Sequence, residues 1–169
     1  MRDRPLKACF LDGGRRASAL TLLAGLLAAC SGIKPYPDLA EKNLQVRTST
    51  ESGSIFSKVR ASLDISRVDA QCRTEYQGTV DLKKASVKVG IPTERWSYLV
   101  FYFASSGLLS NKSSTMAQST LLKPRAGYRY DAEVTYRDDT YNVVIRESRS
   151  GTGGGREIEL LRLDACERS

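Results

Sequence analysis

From residue 44 onward, apolar side chains recur at every second position and almost nowhere at the three-or-four spacing of a helix. A period of two places alternate side chains on opposite faces of an extended chain, so it specifies half-buried strands. Leu44, Val46 and Thr48 alternate with polar residues, as do Val59, Ala61, Leu63 and Ile65. Cys72, Thr74 and Tyr76 lead through Gly78 to Val80 and Leu82, and Val87, Val89 and Ile91 form a further short run before Pro92. In residues 128–136 the alternation is strict, with Tyr128, Tyr130, Ala132, Val134 and Tyr136 expected inward and Arg129, Asp131, Glu133, Thr135 and Arg137 outward. Asp138-Asp139 reads as a tight reversal into Tyr141, Val143 and Ile145, and Ile158, Leu160 and Leu163 read as a last strand ending near Cys166. Residues 96–104 differ, because Trp96, Tyr98, Val100 and Tyr102 fall on one face and Leu99, Phe101 and Phe103 on the other. That pattern predicts a central strand covered on both sides. Residues 105–120 are polar and Ser-rich and read as a long loop with room for one short strand.

Seven to nine short strands with almost no helical period predict an all-β fold, an antiparallel β-sandwich, with a small closed barrel as the alternative. Lys123-Pro124-Arg125-Ala126-Gly127 is a turn in which Pro presets one φ and Gly is free to take a positive one. The run Pro124-x-x-Gly127-Tyr128-x-Tyr130, followed by a hairpin, resembles transthyretin-like and immunoglobulin-like sandwiches over roughly residues 121–147. The Cys–Trp–Cys spacing of immunoglobulin domains is absent.

Ahead of the strands lies a different kind of sequence. Arg2, Arg4, Lys7, Arg15 and Arg16 make a basic region, and the uncharged residues 17–29 follow with five leucines. Thirteen apolar or small residues suit an export signal and fall short of the roughly 20 that span a bilayer as a helix. Leu27-Ala28-Ala29-Cys30 resembles the lipobox of bacterial lipoproteins, which implies cleavage before Cys30 and lipidation of its thiol. Arg15-Arg16 departs from the twin-arginine pattern at Gly14 and Ser18, so ordinary export is expected. Ser31 rather than Asp follows the cysteine, which by the resemblance implies the outer membrane. The chain is thus expected to comprise a signal peptide over 1–29, a lipidated N-terminus and flexible tether over 30–43, and one β-sandwich domain over 44–169. An extended tether of that length would hold the domain up to roughly 40 Å from the bilayer at ~3.1 Å per residue.

Cysteine parity follows from that division. Cys9 leaves with the signal and Cys30 is acylated, so Cys72 and Cys166 remain, an even pair in an oxidising compartment and therefore an expected disulfide. The leader also carries five basic and two acidic residues, so its removal takes the net charge from +7 to +4. With the signs mixed along 140 residues, no basic stripe suited to nucleic acid is present.

The chain contains no histidine. That excludes histidine-dependent triads, His-Glu-x-x-His zinc sites and histidine-ligated haem, and no metal or cofactor is expected. Ser31-Gly32-Ile33-Lys34 has the bare Ser-x-x-Lys form but lies in the tether, where nothing would lower a lysine pKa. Gly151-Thr152-Gly153-Gly154-Gly155-Arg156 lacks a Gly-Lys-Ser/Thr ending and joins two strands, so it reads as a hairpin loop rather than a phosphate cradle. Asp131 and Glu133 share a face with Arg129 and Arg137, a charge-balanced surface, and Asp138-Asp139 reads as a turn rather than a calcium site.

Eight tyrosines and one tryptophan lie largely within strands, where they serve as core or as stacking platforms. Trp96, Tyr98, Tyr128 and Tyr130 are the candidate binding residues. The expected function is a non-enzymatic structural or protein-interaction module, anchored through Cys30 to the periplasmic face of the outer membrane and working with other envelope proteins. The alternatives are a glycan or small-ligand binder and an accessory lipoprotein of a secretion or envelope assembly system. Small sandwich lipoproteins of type VI secretion systems look similar in plan.

Overall fold

Alternation is realised as nine strands in a computed structural model that describes residues 33–50, 57–107, 113–137, 140–151 and 154–168. The expected signal peptide, Cys30 and the expected reversal at Asp138-Asp139 lie outside the described residues. The strands are β1 (Lys42–Thr50), β2 (Ser57–Val68), β3 (Thr74–Asp81), β4 (Ser86–Gly90), β5 (Ser97–Gly107), β6 (Ser113–Leu122), β7 (Tyr128–Arg137), β8 (Thr140–Arg149) and β9 (Arg156–Ile158). They form a five-stranded sheet, β4-β1-β7-β8-β9, and a four-stranded sheet, β3-β2-β5-β6. Leu44 and Val46, Val89 and Ile91, Tyr130 to Val134 in alternation, and Val143 and Ile145 line the first sheet's inner face. Leu63, Ile65, Leu99, Phe101 and Phe103 meet them from the second, so the chain is a β-sandwich around one main core. One pairing departs from the antiparallel expectation: β1 runs parallel to β7, from Leu44↔Tyr130 to Thr50↔Tyr136, and the five-stranded sheet is mixed.

Three further expectations change. The strand over residues 96–104 is central in its sheet, between β2 and β6, yet only its Leu99-Phe101-Phe103 face is buried. Tyr98, Val100 and Tyr102 are half-buried on the outer face, which among the described residues no second sheet covers. The Ser-rich region expected to be a loop supplies β6, ten residues in unbroken register with β5. The last strand is only three residues long. After a single bridge from Leu161 to Leu121, the chain closes in a 3-10 turn, Leu163–Arg168, that carries Cys166.

The fourth change concerns the tether. Lys34–Ser169 is one compact unit, and its first residues are fastened to both sheets. Tyr36 N–H donates to Thr79 O at 3.0 Å and Thr79 N–H to Lys34 O at 2.8 Å, which makes the segment a partner for the edge of β3. Tyr36 Oη donates to Gly90 O at 2.9 Å, and Asp38 Oδ1 accepts from Gly90 N–H at 2.7 Å. Approach is so close that a Cβ at Gly90 would lie 2.1 Å from Ala40 O, and one at Gly78 would lie 2.6 Å from the Tyr36 backbone. Both glycines are there because only a hydrogen fits. Beside them the β1–β4 register slips between Lys42 and Leu44. Buried Asn43 fills the gap with its side chain, accepting from Ile91 N–H at 2.9 Å and donating to Ile91 O at 2.7 Å.

The outward row of β7 behaves as a charge-balanced surface, although its partners come from neighbouring strands. Arg47 of β1 pairs with Asp131 at 2.8 Å, and Arg146 of β8 with Glu133 at 2.9 Å.

Candidate binding surface

The four aromatic residues singled out from the sequence divide into two places. Trp96 and Tyr98 project from the outer face at the start of β5, where Tyr98 lies between Ser66 and Leu121 on the flanking strands. There they pack with Val68, Leu121, Leu161, Leu163 and the disulfide in a second, smaller core. Cys72 and Cys166 are bonded, with Cα atoms 5.8 Å apart. Cys72 takes φ 60°, a left-handed conformation held by the Asp69 turn around it. Asp69 Oδ1 accepts from Gln71 N–H and Arg73 N–H at 2.9 Å each, and Oδ2 accepts from Arg73 Nε at 2.8 Å. The bond from Arg73 N–H is the chief reason that this carboxyl is held below its usual range.

Tyr128 and Tyr130 open β7, directly after the turn at Ala126-Gly127. Gly127 takes φ 77°, the positive value that the turn requires. Tyr130 is only 1% exposed, so its ring presents no surface to a ligand. Its hydroxyl donates to Glu147 Oε2 at 2.8 Å and accepts from Arg125 N–H at 3.0 Å, fixing the turn to β7 and β8. Arg125 completes the cluster, reaching Glu147 with Nη2 at 2.6 Å and Nε at 3.1 Å while its guanidinium stacks 3.8 Å from the Tyr128 ring centroid.

Glu147 is the centre of that cluster, its side chain only 10% exposed. Burial pushes its carboxyl up. The hydrogen bonds from Tyr130 and Arg125 and the charges of Arg125 and Arg156 outweigh burial and hold its pKa below the usual value. Burial is also the main cause that raises the Tyr130 phenol, which keeps it a neutral donor. A folded-state pKa below the unfolded one means that Glu147 stabilises fully above the ordinary carboxylate range. That contribution is lost as pH falls through the depressed folded value. Glu147→Gln turns an acceptor facing three donors into a group with its own N–H donors. It is expected to lower stability at neutral pH by about 1.5–3 kcal/mol and to flatten the decline on acidification. Chemical denaturation from pH 7 to pH 3 checks both; a variant as acid-sensitive as the parent would remove Glu147 from this role.

Trp96 is the residue around which the open surface is organised. Its carbonyl accepts from Val68 N–H at 3.1 Å, and Lys123 Nζ stands 5.8 Å from its ring centroid. On one side of it lies a cleft of about 330 Å³, bounded by Tyr36, Pro37, Leu39 and Ala40, by Ile65, Arg67 and Gln77, and by Pro92 and Arg95. Trp96 also borders two further depressions, one with Asp69, Glu94 and Lys123 and one with Leu121, Glu159 and Leu161. An apolar wall with Arg67, Arg95 and Gln77 at its rim is suited to a small amphipathic group or a sugar face stacked on the indole. The contribution of Tyr36, Pro37 and Arg95 was missed from the sequence, because they lie in segments with no periodic signal. Pro35-Tyr36-Pro37, an aromatic between two prolines in a supposed linker, was the available clue.

A broader depression of about 760 Å³ lies over the outer face of the five-stranded sheet, lined by Lys42, Arg47, Lys88, Arg129 and Arg149 with Glu41 and Asp131. Arg47 is engaged by Asp131 and Lys42 by Asp38. Among the described residues no group of three or more Cys, Asp or Glu side chains is placed to hold a metal ion. Comparison with protein-family models, curated proteins and solved structures finds no match to this chain.

Proposed function

We propose that the protein is a non-enzymatic lipoprotein, anchored through Cys30 in the outer membrane, whose sandwich acts as an interaction module at the periplasmic bilayer surface. The observation that carries this reading is the Leu27-Ala28-Ala29-Cys30 motif behind a short apolar stretch and a basic flank. The Cys72–Cys166 disulfide supports it, because such bonds persist in oxidising compartments outside the cytoplasm. The lack of any histidine supports the non-enzymatic part. Lys34 is already hydrogen-bonded to β3, so only the stretch from Cys30 to Lys34 is left as a spacer. Fully extended, those four residues span at most about 14 Å. Under this reading the domain rides against the headgroups rather than standing up to 40 Å above them. Several acyl chains at ~0.8 kcal/mol per buried methylene would hold it there.

Cys30→Ala is expected to abolish incorporation of a palmitate analogue and to release the protein from the membrane fraction. Metabolic labelling of both chains in a bacterial host decides the matter, and label retained on Cys30→Ala would sink the proposal.

A second reading, glycan or small-ligand binding, is favoured by the position of Trp96 on the 330 Å³ cleft. Trp96 is the chain's single tryptophan, so its fluorescence reports occupancy of the cleft directly. A shift on titration with a soluble glycan would support this reading, and an unchanged spectrum across a glycan panel would dismiss it.

A further inference from the structure

Each sheet has two outer strands, and three of the four are guarded. Alongside β3 runs the Lys34–Tyr36 backbone, bonded to Thr79. β4 is five residues long, carries Lys88, and ends at Gly90 beneath Asp38 and Ala40. β9 is three residues long and includes Arg156 and Glu157. Short length, charge and cover are the usual means by which a sheet edge is kept from pairing with another chain.

β6 has none of these along most of its length. Its ten residues contain no charged side chain and no proline, and no bulge interrupts its register with β5. Among the described residues, backbone cover is confined to its end, where Leu121 N–H donates outward to Leu161 O at 2.8 Å. In an antiparallel strand both backbone groups of a residue point to the same side, and the sides alternate. Thr115, Ala117 and Ser119 therefore present N–H and C=O outward with Leu121. Among the described residues no backbone group pairs with these three. Met116, on the inner face of the same strand, is 51% exposed, one of few large apolar side chains in solvent among the described residues.

We propose that β6 pairs antiparallel with β6 of a second copy of this chain, with the two-fold axis at Ala117. Residues 114–120 read almost alike from either end about that residue. Thr115 meets Ser119, Met116 meets Gln118 and Ser114 meets Thr120. In this register every outward-facing residue opposes another outward-facing one: Ala117 faces Ala117, and Thr115 faces Ser119 twice. About six N–H···O bonds close across the axis. Thr115 and Ser119 are a hydroxyl pair of the kind that bonds across strands, and no like charges are opposed. Such an interface is self-complementary, as two-fold contacts must be, and it joins two four-stranded sheets into one of eight. It ends where Leu161 occupies the outward face at Leu121.

The register supplies the test, which does not depend on acylation. Thr115→Cys and Ser119→Cys variants of the full-length chain are expressed separately and together. A short thiol-to-thiol reagent is applied to the cells, and the linked peptides are mapped. The expected result is a 115-to-119 link between copies, exceeding the 115-to-115 and 119-to-119 links by about tenfold. Ala117→Pro in the same background should abolish the link, because proline is tolerated at an outward-facing edge position but obstructs a new strand. Ala117→Lys provides the same check by charge should the proline variant fail to fold. Equal yields of the three links, no link between copies, or a link from residues 115 and 119 to a different protein's strand would each overturn the proposal.

Discussion

Phe101→Ala is expected to lower the unfolding free energy by about 3–5 kcal/mol through lost transfer energy and an unfilled cavity. Phe101 is 1% exposed at the middle of β5, with β2 and β6 bonded on either side of it. Both neighbouring strands are held by their own pairing, so the site cannot collapse to fill the space. The loss is a large share of the ~5–15 kcal/mol that a domain of this size possesses. Val100, one residue along, provides the internal control. It is half-buried on the outer face, and its truncation should cost well under half as much. Chemical denaturation of the three proteins checks the pair of expectations. A normal midpoint for Phe101→Ala would mean that the inner face of β5 is not packed as the structure has it.

Replacing both Cys72 and Cys166 by Ala is expected to cost about 4–5 kcal/mol, from the chain-entropy relation for a long loop. The two residues are 94 apart in sequence. The bond lies in the smaller core, against Val68, Leu121 and Trp96, and the main core contains neither cysteine. The sandwich should therefore persist with a lowered midpoint, while the 3-10 turn Leu163–Arg168 loses its hold on the outer face. Hydrogen exchange should then rise at the turn and at Leu121, whose N–H bonds Leu161, before it rises at β2 or β7. Uniform acceleration across all strands would show that the disulfide supports the whole fold rather than this corner.

Part of the candidate site was legible and part was not. Trp96 stood out as the chain's single tryptophan at the head of an aromatic strand, and it does border the open cleft. Tyr130 stood out by the same reasoning and is buried, because the strict alternation of β7 that marked it also aims it inward. The other wall of the cleft comes from residues 36–40, whose prolines and polar neighbours read as a tether. What fixes them is backbone pairing to Thr79 and close contact with two glycines, interactions that leave no periodic trace.

Sequence alone determined the strands whose two faces meet different surroundings. Along β1, β7 and the inner face of β5, one side must be apolar and the other need not be, so the two-residue period writes the burial directly into the chain. Parity likewise pointed to the disulfide, since the expected removal of the leader and acylation of Cys30 would leave two thiols, and Cys72 and Cys166 are bonded. Tertiary structure decided whatever depends on a distant partner. β6 is a strand because β5 offers ten residues of backbone in register, not because its serines and threonines demand it. At an edge half covered by the opposite sheet, no apolar pattern is required of them. The parallel pairing of β1 with β7 joins segments more than eighty residues apart, and either direction would serve the alternation equally. Tyr98 and Tyr102 look like core by composition, and they are only half-buried because a phenol can lie along a sheet surface with its hydroxyl in water. Local periodicity reports which face is buried, and only the assembled sheets determine what buries it.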